Sequence, residues 1–228
     1  MLKTHPSLEV MLERDKRAVA RGTILKFEGD EAQMRFYVAQ GWLAASKSLE
    51  DGERQIIDVI LPGETYDPTA ADGKTSSVQV EALCHAVVVT IDSATWERLL
   101  QDDPDLRRRE RQHDSAVQAR QSERMLRLGR SSAETRIAYV LIELCMRVCG
   151  AGRRCVGEFH VPLGQQQLGD FTGLSSVHVC RTLRRLNRAK VITTGDHMDI
   201  TIHDVAALAD LADVDLSALH DEIIPAVA

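Results

Sequence analysis

Several features are missing from the 228-residue sequence, and each absence excludes a class of protein. No apolar run approaches the length of a membrane span, and the first residues lack the apolar region of a signal peptide. The five cysteines are an odd number without a repeating framework, which excludes a disulfide scaffold and indicates a reducing cytoplasm. No phosphate-binding loop, Ser-His-Asp pattern or metal-protease motif is present, so we do not expect an enzyme. Since long apolar runs are also missing, we do not expect a membrane partner.

Residues 162–190 have the pattern of two short helices joined by a tight turn. The first helix is predicted over 165–171. Gly173 then provides a residue that adopts positive φ without strain, and Ser175 is a favoured N-cap for the second helix. Gly169 has no side chain, so the two helices can cross closely at the turn. The stretch is therefore predicted to fold as a helix, a glycine turn and a second helix.

The second helix has one apolar face and one basic face. Val179, Leu183 and Leu186 point inward at spacings of four and three residues. The outward face carries polar and basic side chains, namely Ser176, His178, Arg181, Arg184, Arg185 and Arg188. This pattern is typical of a DNA-reading helix-turn-helix, although an ordinary helical hairpin with a solvated basic face has the same spacing.

Two features that follow the second helix favour DNA binding. Residues 191–194 and 198–202 read as two strands separated by a Gly-Asp turn, which predicts the β-hairpin wing of a winged helix. The region 153–203 also contains seven basic residues against four acidic ones, in a chain whose formal net charge is −6. Contact with phosphates depends on this local positive charge and not on the global sum.

The first half of the chain reads as short strands punctuated by glycine after a helix at 7–20. The strands are predicted at 23–27, 34–38, 42–46, 55–61, 78–82 and 86–91. Such spacing indicates a small β-barrel or sandwich.

The remaining segments are predicted to be helical. A short helix at 94–100 precedes a long one at 104–128, which has little apolar content. That long helix is either a solvated surface helix or one that buries a thin stripe against a second copy of the chain. The apolar segment 133–149 is expected to pack beneath the helix-turn-helix. We also predict helix in the apolar-acidic tail 204–228, to which we assign no role.

This order of elements resembles the Crp/Fnr family of bacterial transcription regulators over about residues 22–204. The most specific matching segments are EGD at 28–30, YVAQGW at 37–42, DGERQII at 51–57, LPGE at 61–64 and LGRSSAETRIAYVLIEL at 128–144. The resemblance implies an α+β fold with an N-terminal cyclic-nucleotide-binding-like β-barrel (jelly roll), a long dimerisation helix and a C-terminal winged helix-turn-helix. It further implies a homodimer that binds near-palindromic double-stranded DNA and contacts RNA polymerase.

The resemblance also implies domain boundaries and a dimer interface. We expect a sensor barrel at 1–103, the dimerisation helix and hinge at 104–130, the DNA-binding domain at 131–204 and a helical tail at 205–228. The dimer interface is expected to include Leu106, Val117 and Leu128.

By position, the base-reading residues of the cyclic-AMP-responsive members correspond to Ser176, Val177 and Arg181. Val177 stands where those relatives have a glutamate, so we expect a different half-site, since valine contacts a thymine methyl but cannot bond to cytosine. The other residues expected at DNA, at phosphates or at further base contacts, are Gln165, Gln166, Ser175, His178, Arg184 and Arg185.

The implied effector pocket departs from the family pattern. The ribose-binding Gly-Glu corresponds to Tyr66 and Asp67, and the phosphate-binding Arg-Ser corresponds to Ser76 and Ser77. Without the arginine, a buried phosphate would have no fixed counter-charge, so we expect a signal other than cyclic AMP.

The cysteines leave a redox signal open. The N-terminus has no cysteine, which excludes the iron–sulfur cluster of oxygen-sensing relatives, and we expect no cofactor. Cys180 lies in the DNA-reading helix beside Arg181, where it is either a small packing residue or an oxidisable thiol. A second set, Cys145, Cys149 and Cys155, is interpreted as core packing, with a metal site that includes His160 as the alternative.

A second class of function also fits the sequence. The barrel could bind a ligand while the helical C-terminal region mediates protein contacts instead of DNA binding. The salt dependence of DNA affinity distinguishes the two, because phosphate contacts weaken steeply as salt rises.

Overall fold

The computed structural model describes residues 6–149, 157–195 and 199–225. They divide into a first unit, Met1–Glu110, and a second unit, Arg111–Ala228, and the division falls inside one long helix. Each unit is described separately below.

The first unit is built from two antiparallel four-stranded sheets and two short helices. Its elements are α1 (Pro6–Arg14), β1 (Arg17–Val19), β2 (Ile24–Lys26), β3 (Met34–Gln40), β4 (Leu43–Ser48), β5 (Arg54–Ile60), β6 (Thr65–Tyr66), β7 (Gln79–Ala82), β8 (Ala86–Asp92) and α2 (Ser93–Asp102). The strand orders are β1-β8-β3-β6 and β2-β7-β4-β5. All six predicted strands are present, and β1 and β6 are additional.

The core of this unit is filled by alternate side chains of the strands. Phe36 and Val38 from β3, Leu43 from β4, Val80 from β7 and Val88 from β8 are all buried in one cluster. Alternation along antiparallel strands places every second residue on the inner face, which is why the period-two pattern of the sequence is informative here.

The tight β3–β4 turn requires glycine at one position. Gly41 has φ of 74°, and a Cβ atom there would lie 2.4 Å from the backbone oxygen of His85. Both the left-handed conformation and the close approach exclude a side chain.

One prediction for this unit is wrong in its extent. The helix expected over 7–20 ends at Arg14, and Arg17–Val19 instead forms β1, which pairs with β8. The hydrogen bonds of the sheet edge and the burial of Val19 in the core outweigh the local helical pattern.

The second unit is mostly helical. Its elements are the larger part of α3 (Pro104–Arg130), then α4 (Ala133–Cys149), β9 (Gly157–His160), α5 (Gln165–Thr172), α6 (Ser176–Arg188), β10 (Ile192–Thr194), β11 (Asp199–Ile202), α7 (Val205–Ala212) and α8 (Leu216–Ile223). The predicted helix pair, wing hairpin, apolar helix and helical tail are confirmed. The wing has a third strand that was not predicted, because β9 pairs with β11 in an antiparallel sheet of order β10-β11-β9.

The apolar helix α4 forms the centre of the second unit. Ile137, Leu141 and Leu144 are fully buried, and α4 packs against α5, α6 and α7. This confirms that the segment lies beneath the helix pair.

Candidate nucleic-acid interface

The turn between α5 and α6 has the geometry that the sequence predicts. Gly173 ends α5 with φ of 65° and ψ of 39°, in the left-handed region. Ser175 is the N-cap of α6, and its Oγ accepts a hydrogen bond from the backbone N–H of His178 at 3.4 Å. A Cβ atom at Gly169 would lie 2.3 Å from the backbone oxygen of Leu174, so the close approach of the two segments depends on glycine.

The two faces of α6 separate as predicted. Val179, Leu183 and Leu186 are buried against the second unit. The residues expected at DNA lie on the opposite face and at the start of the helix. Ser176 is half-buried, and the others are exposed, namely Ser175, Val177, His178, Arg181, Arg184 and Arg185. Val177 is 61% exposed, which is unusual for a valine and leaves its methyl groups available for contact.

The polar residues of this face differ in how they are held. Arg185 Nη1 donates to Glu134 Oε2 of α4 at 2.9 Å. The ring Nδ1 of His178 lies 3.0 Å from Ser175 Oγ, at the amino end of α6. Within the described part of the chain, neither Arg181 nor Arg184 has an ion-pair partner, so both guanidinium groups are available for an external anion.

The start of α5 presents two further polar side chains. Gln165 and Gln166 are exposed, and Gln166 Nε2 donates to Asp170 Oδ1 at 2.9 Å. Gln167 points the other way, because its Oε1 accepts from the backbone N–H of Gly164 at 2.9 Å and caps the helix. Exposed backbone N–H groups at a helix start suit contact with phosphate.

The wing is tied directly to α6. Asn187 Nδ2 donates to Thr194 Oγ1 at 2.8 Å, and Thr194 N donates to Asn187 Oδ1 at 3.1 Å. On the other side of the wing sheet, His160 Nδ1 and Asp199 Oδ1 lie 2.7 Å apart. Two hydrogen bonds therefore join α6 to the first strand of the wing.

Arg136, in the first turn of α4, joins three segments of the second unit, and no local pattern in the sequence indicates this role. Its Nη2 donates to Leu128 O of α3 at 2.8 Å, and its Nε donates to Ser131 O at 3.1 Å. Its Nη1 donates to the backbone oxygens of Thr172 and Gly173 at 3.4 Å each. One planar fork thus connects the end of α3 with the turn that precedes α6.

The cysteines occupy two different settings. Cys180 is half-buried in α6, within the predicted DNA-contacting face. Cys145 is buried in α4, and its Sγ lies 3.9 Å from Sγ of the half-buried Cys149. Cys155 lies outside the described residues. His160 is engaged with Asp199, and no cluster of three metal-ligating side chains occurs in the residues that the structure describes.

The four residues predicted to form an effector pocket lie on two neighbouring segments of the first unit, and their side chains make contacts within it. Ser76 is 3% exposed and its hydroxyl donates to Val78 O at 2.6 Å. The hydroxyl of Ser77 donates to Pro68 O at 3.1 Å. Asp67 pairs with Arg35, and Tyr66 packs against the apolar core. Backbone oxygens accept from both serine hydroxyls and Arg35 pairs with Asp67, so an effector pocket at these four positions stays a prediction.

The predicted dimer residues also need one correction. Leu106 is 2% exposed and packs with Leu8 and Trp96 inside the first unit, so it cannot contact a partner. We call Val117, Gln121, Met125 and Leu128 the exposed arc of α3; within it Val117 and Leu128 are half-buried and lie at its border. Met125, which is 71% exposed, belongs to the same arc and was not among the predicted dimer residues, because the sparse apolar residues of this helix form no clear stripe.

A glycine-turned helix pair, a wing tethered to the second helix and an exposed arginine face define a DNA-binding regulator of the winged helix class. Comparison with family models agrees: residues 135–211 match the Crp-like helix-turn-helix domain, and residues 16–103 match the cyclic nucleotide-binding domain. The chain belongs to the Crp/Fnr family of transcription regulators.

Individual relatives support this assignment. The chain is 29% identical to the nitrogen fixation regulation protein FixK of Rhizobium meliloti (strain 1021) over 185 residues, and this aligned region covers 81% of each chain. It is 27% identical over 206 residues to the transcriptional activator protein Anr of Pseudomonas aeruginosa, covering 90% of this chain and 83% of the relative. These relatives are named as regulators and not as enzymes.

The fold itself is that of solved regulators. The structure of FixK2 from Bradyrhizobium japonicum superposes with a TM-score of 0.77 at 23% identity, covering 88% of this chain and 98% of that one. The structure of a CooA mutant from Carboxydothermus hydrogenoformans gives a TM-score of 0.74 at 13% identity, covering 92% and 93%. Across the described residues, no helix is both long enough and apolar enough to cross a membrane.

Proposed function

We propose that this regulator acts as a homodimer that binds a near-palindromic DNA site and responds to a signal other than cyclic AMP. The observation that carries the DNA-binding mode is the outward face of α6, where Arg181 and Arg184 are exposed and lack ion-pair partners among the described residues. The Ser175 cap and the Gly173 turn hold the start of this face against the second unit, as a groove-inserted helix requires.

The chemistry of the face predicts how bases are read. Arg181 suits a bidentate contact with guanine O6 and N7, the commonest specific use of arginine in the major groove. Val177 contributes apolar surface for a thymine methyl and has no group that could accept a hydrogen bond from cytosine N4. Ser176, the half-buried first residue of α6, provides a hydroxyl for a further polar contact.

Other residues of the second unit are suited to the sugar-phosphate backbone. Gln165 and Gln166 at the start of α5, with Ser175 and His178 at the start of α6, place donors at two helix amino ends. Arg184 adds an unpaired charge, and Arg185 would have to exchange its contact with Glu134 for a phosphate.

A second copy is proposed to pack on the exposed arc of α3. Val117, Gln121, Met125 and Leu128 follow one another at spacings of three and four residues along this helix. A two-fold axis along α3 would present two α6 helices to successive major grooves, which explains why the site should be near-palindromic.

The signal is proposed to differ from cyclic AMP because the phosphate-binding arginine is replaced by Ser76, whose hydroxyl is buried and already donates to Val78 O. Contact with RNA polymerase and action in the cytoplasm are proposed from the family assignment. A ligand-binding barrel that uses its C-terminal unit only for protein contacts is the second candidate, and the same experiment distinguishes it.

The test compares the parent chain with Val117→Glu and with a control charge at the exposed Ser115, Ser115→Glu, which lies on the opposite side of α3. Sedimentation gives the dimer dissociation constant, and a gel-shift salt series on selected palindromic DNA gives affinity and salt slope. We expect Val117→Glu to weaken dimerisation and DNA binding together, while Ser115→Glu changes neither. A monomer that binds palindromic DNA at full affinity would contradict the dimer, and an absence of salt-dependent DNA binding would favour the protein-contact module.

A further inference from the structure

The C-terminal tail docks by the ends of its two helices onto a row of arginines on α3. Arg120 Nη1 donates to the backbone oxygen of Ile223, the last residue of α8, at 3.1 Å. Two helical turns further on, Arg127 Nη2 lies 3.4 Å from Ala212 O, at the end of α7, and 3.5 Å from Asp213 O. Both arginines thus face the carboxyl end of a helix, where carbonyl oxygens are unsatisfied and the helix dipole favours a cation.

This row is buried although it is cationic. Arg120 is 1% exposed, Arg124 6% and Arg127 6%. Removing three guanidinium groups from water is costly, so contacts that compensate each of them are expected.

Such contacts are present beyond the tail. The guanidinium of Arg124 lies 4.8 Å from the ring centre of Phe171 in α5, and that of Arg127 lies 4.1 Å from the ring centre of Tyr139 in α4. Arg124 Nε is also 3.7 Å from Glu143 Oε2, and Glu143 is fully buried. The row therefore connects α3 with α4, α5 and both tail helices.

The arginine row and the exposed arc lie on different sides of α3. Ala116, Arg120, Arg124 and Arg127 form the buried side, and Val117, Gln121, Met125 and Leu128 lie on its flank towards solvent. In the part of α3 that belongs to the second unit, Ala116 is the one apolar residue that is fully buried among those described, so apolar packing there contributes little to fixing the rotation of the helix about its own axis. Contacts to the arginine row determine which side remains free.

We propose that the tail is an intrachain strap: by binding the arginine row it sets the rotation of α3 about its axis and so presents the exposed arc to a second copy. The helix α8 lies outside the region that matches the helix-turn-helix family model, which ends at residue 211. The role of the strap depends on the proposed dimer, whereas its docking on α3 is argued from contacts within one chain.

A cleft lies beside the contacts that Arg127 makes with Ala212 and Asp213. It has a volume of about 390 Å³ and lies between the last turns of α3 and the tail. Its lining includes Leu126 and Arg130 from α3, and Val214, Ala218 and Glu222 from the tail. Arg127 also lines this cleft, and its side chain spans the distance from α3 to the end of α7.

The test uses the full chain, a chain that ends at Val214, the variant Arg120→Met, and the control Arg111→Met, which changes an exposed arginine of the same helix. Hydrogen exchange over 116–128 reports the docking directly, and sedimentation reports dimerisation. We expect Arg120→Met and the truncation each to speed exchange and raise the dimer dissociation constant about tenfold or more, since hydrogen bonds to charged groups contribute on that scale. Arg111→Met should change neither.

The double change decides the mechanism. Arg120→Met in the truncated chain should add little, because the truncation has already removed the backbone oxygen of Ile223 to which Arg120 donates. The strap would be overturned if hydrogen exchange in Arg120→Met and in the truncated chain matched that of the parent. It would also be overturned if the effects of the two changes on exchange were fully additive. Faster exchange with an unchanged dimer constant would also overturn its role in presenting the arc. A parent chain that is monomeric would contradict the proposed dimer, while the exchange comparison would still test the docking. If the truncated chain does not fold, Arg120→Met against Arg111→Met decides the proposal.

Discussion

Arg136 Nη2 donates to Leu128 O at 2.8 Å and thereby joins the first turn of α4 to the last turns of α3. The same guanidinium reaches the backbone oxygens of Thr172 and Gly173, immediately before the DNA-reading helix. This one side chain therefore links the carboxyl end of α3 directly to the turn that precedes α6.

Arg136→Lys should lower DNA affinity about tenfold, because a lysine ammonium cannot donate along three directions in one plane. The charge is retained, so the slope of log affinity against log salt should not change. A control is Arg130→Lys, at an exposed position of α3. A reduced salt slope would mean that Arg136 contacts phosphate and does not position α6.

Arg181 and Arg185 should separate base reading from backbone contact. Arg181→Ala is expected to lose about 1–3 kcal/mol of preference at one base pair, since a bidentate contact to guanine disappears. Arg185→Ala should weaken all sequences similarly and flatten the salt slope. Binding to a library of half-sites measures both effects. If Arg185→Ala leaves the salt slope intact, the arginine keeps its contact with Glu134 in the complex.

Cys180 provides a test of redox control. Peroxide converts a thiolate to a sulfenic acid, and the added oxygen would crowd a helix face that must fit the groove. We expect peroxide to reduce DNA binding of the parent chain and Cys180→Ser to resist that loss. Cys149→Ser is the matched control, because that thiol is also half-buried but lies at the end of α4. Equal sensitivity of Cys180→Ser and the parent would leave Cys180 with a packing role only.

Cyclic AMP should not bind with useful affinity. The hydroxyl of Ser76 already donates to Val78 O, and no arginine occupies the phosphate-binding position. Calorimetry with the full chain should detect no binding up to millimolar nucleotide. A micromolar dissociation constant, about −8 kcal/mol, would show that another cation fulfils the role of the missing arginine.

Tyr139 should remain protonated in the folded chain at high pH. Burial raises its pKa well above the usual tyrosine range, and its hydroxyl has no hydrogen-bond partner among the described residues. Since the folded state keeps a proton that the unfolded chain releases above about pH 10, stability should fall as pH rises through that value. Tyr139→Phe should reduce this loss and cost about 1 kcal/mol or less at neutral pH. Denaturant unfolding between pH 8 and 11 measures both; an unchanged pH dependence would mean that Tyr139 ionises in the fold.

The features that the sequence predicted best are those set by neighbouring residues. The Gly173 turn, the Ser175 cap and the inward spacing of Val179 and Leu183 are local, and all appear in the structure. The strand β9 was missed because its pairing partner β11 lies some forty residues later, and its one buried apolar residue, Phe159, gives no periodic pattern.

The residues whose burial was not predicted are covered by distant parts of the chain. Leu106 looks like a surface leucine on a polar helix, but Leu8 and Trp96 cover it in the first unit. Arg120 and Arg127 look like solvated charges, but backbone oxygens near the end of the chain lie against them. A local pattern cannot show which polar residue will be covered by a segment a hundred positions away.

The sparse apolar surface of the exposed arc on α3 has a consequence for the concentration at which the protein works. Of its members only Val117, Met125 and Leu128 are apolar, which is little for an interface that must hold two chains together by itself. With the proposed symmetric site, assembly and DNA occupancy then become one coupled equilibrium, in which the operator itself helps to recruit the second subunit. Occupancy should rise with roughly the square of the monomer concentration, so modest changes in synthesis or degradation would be amplified into larger changes in promoter response.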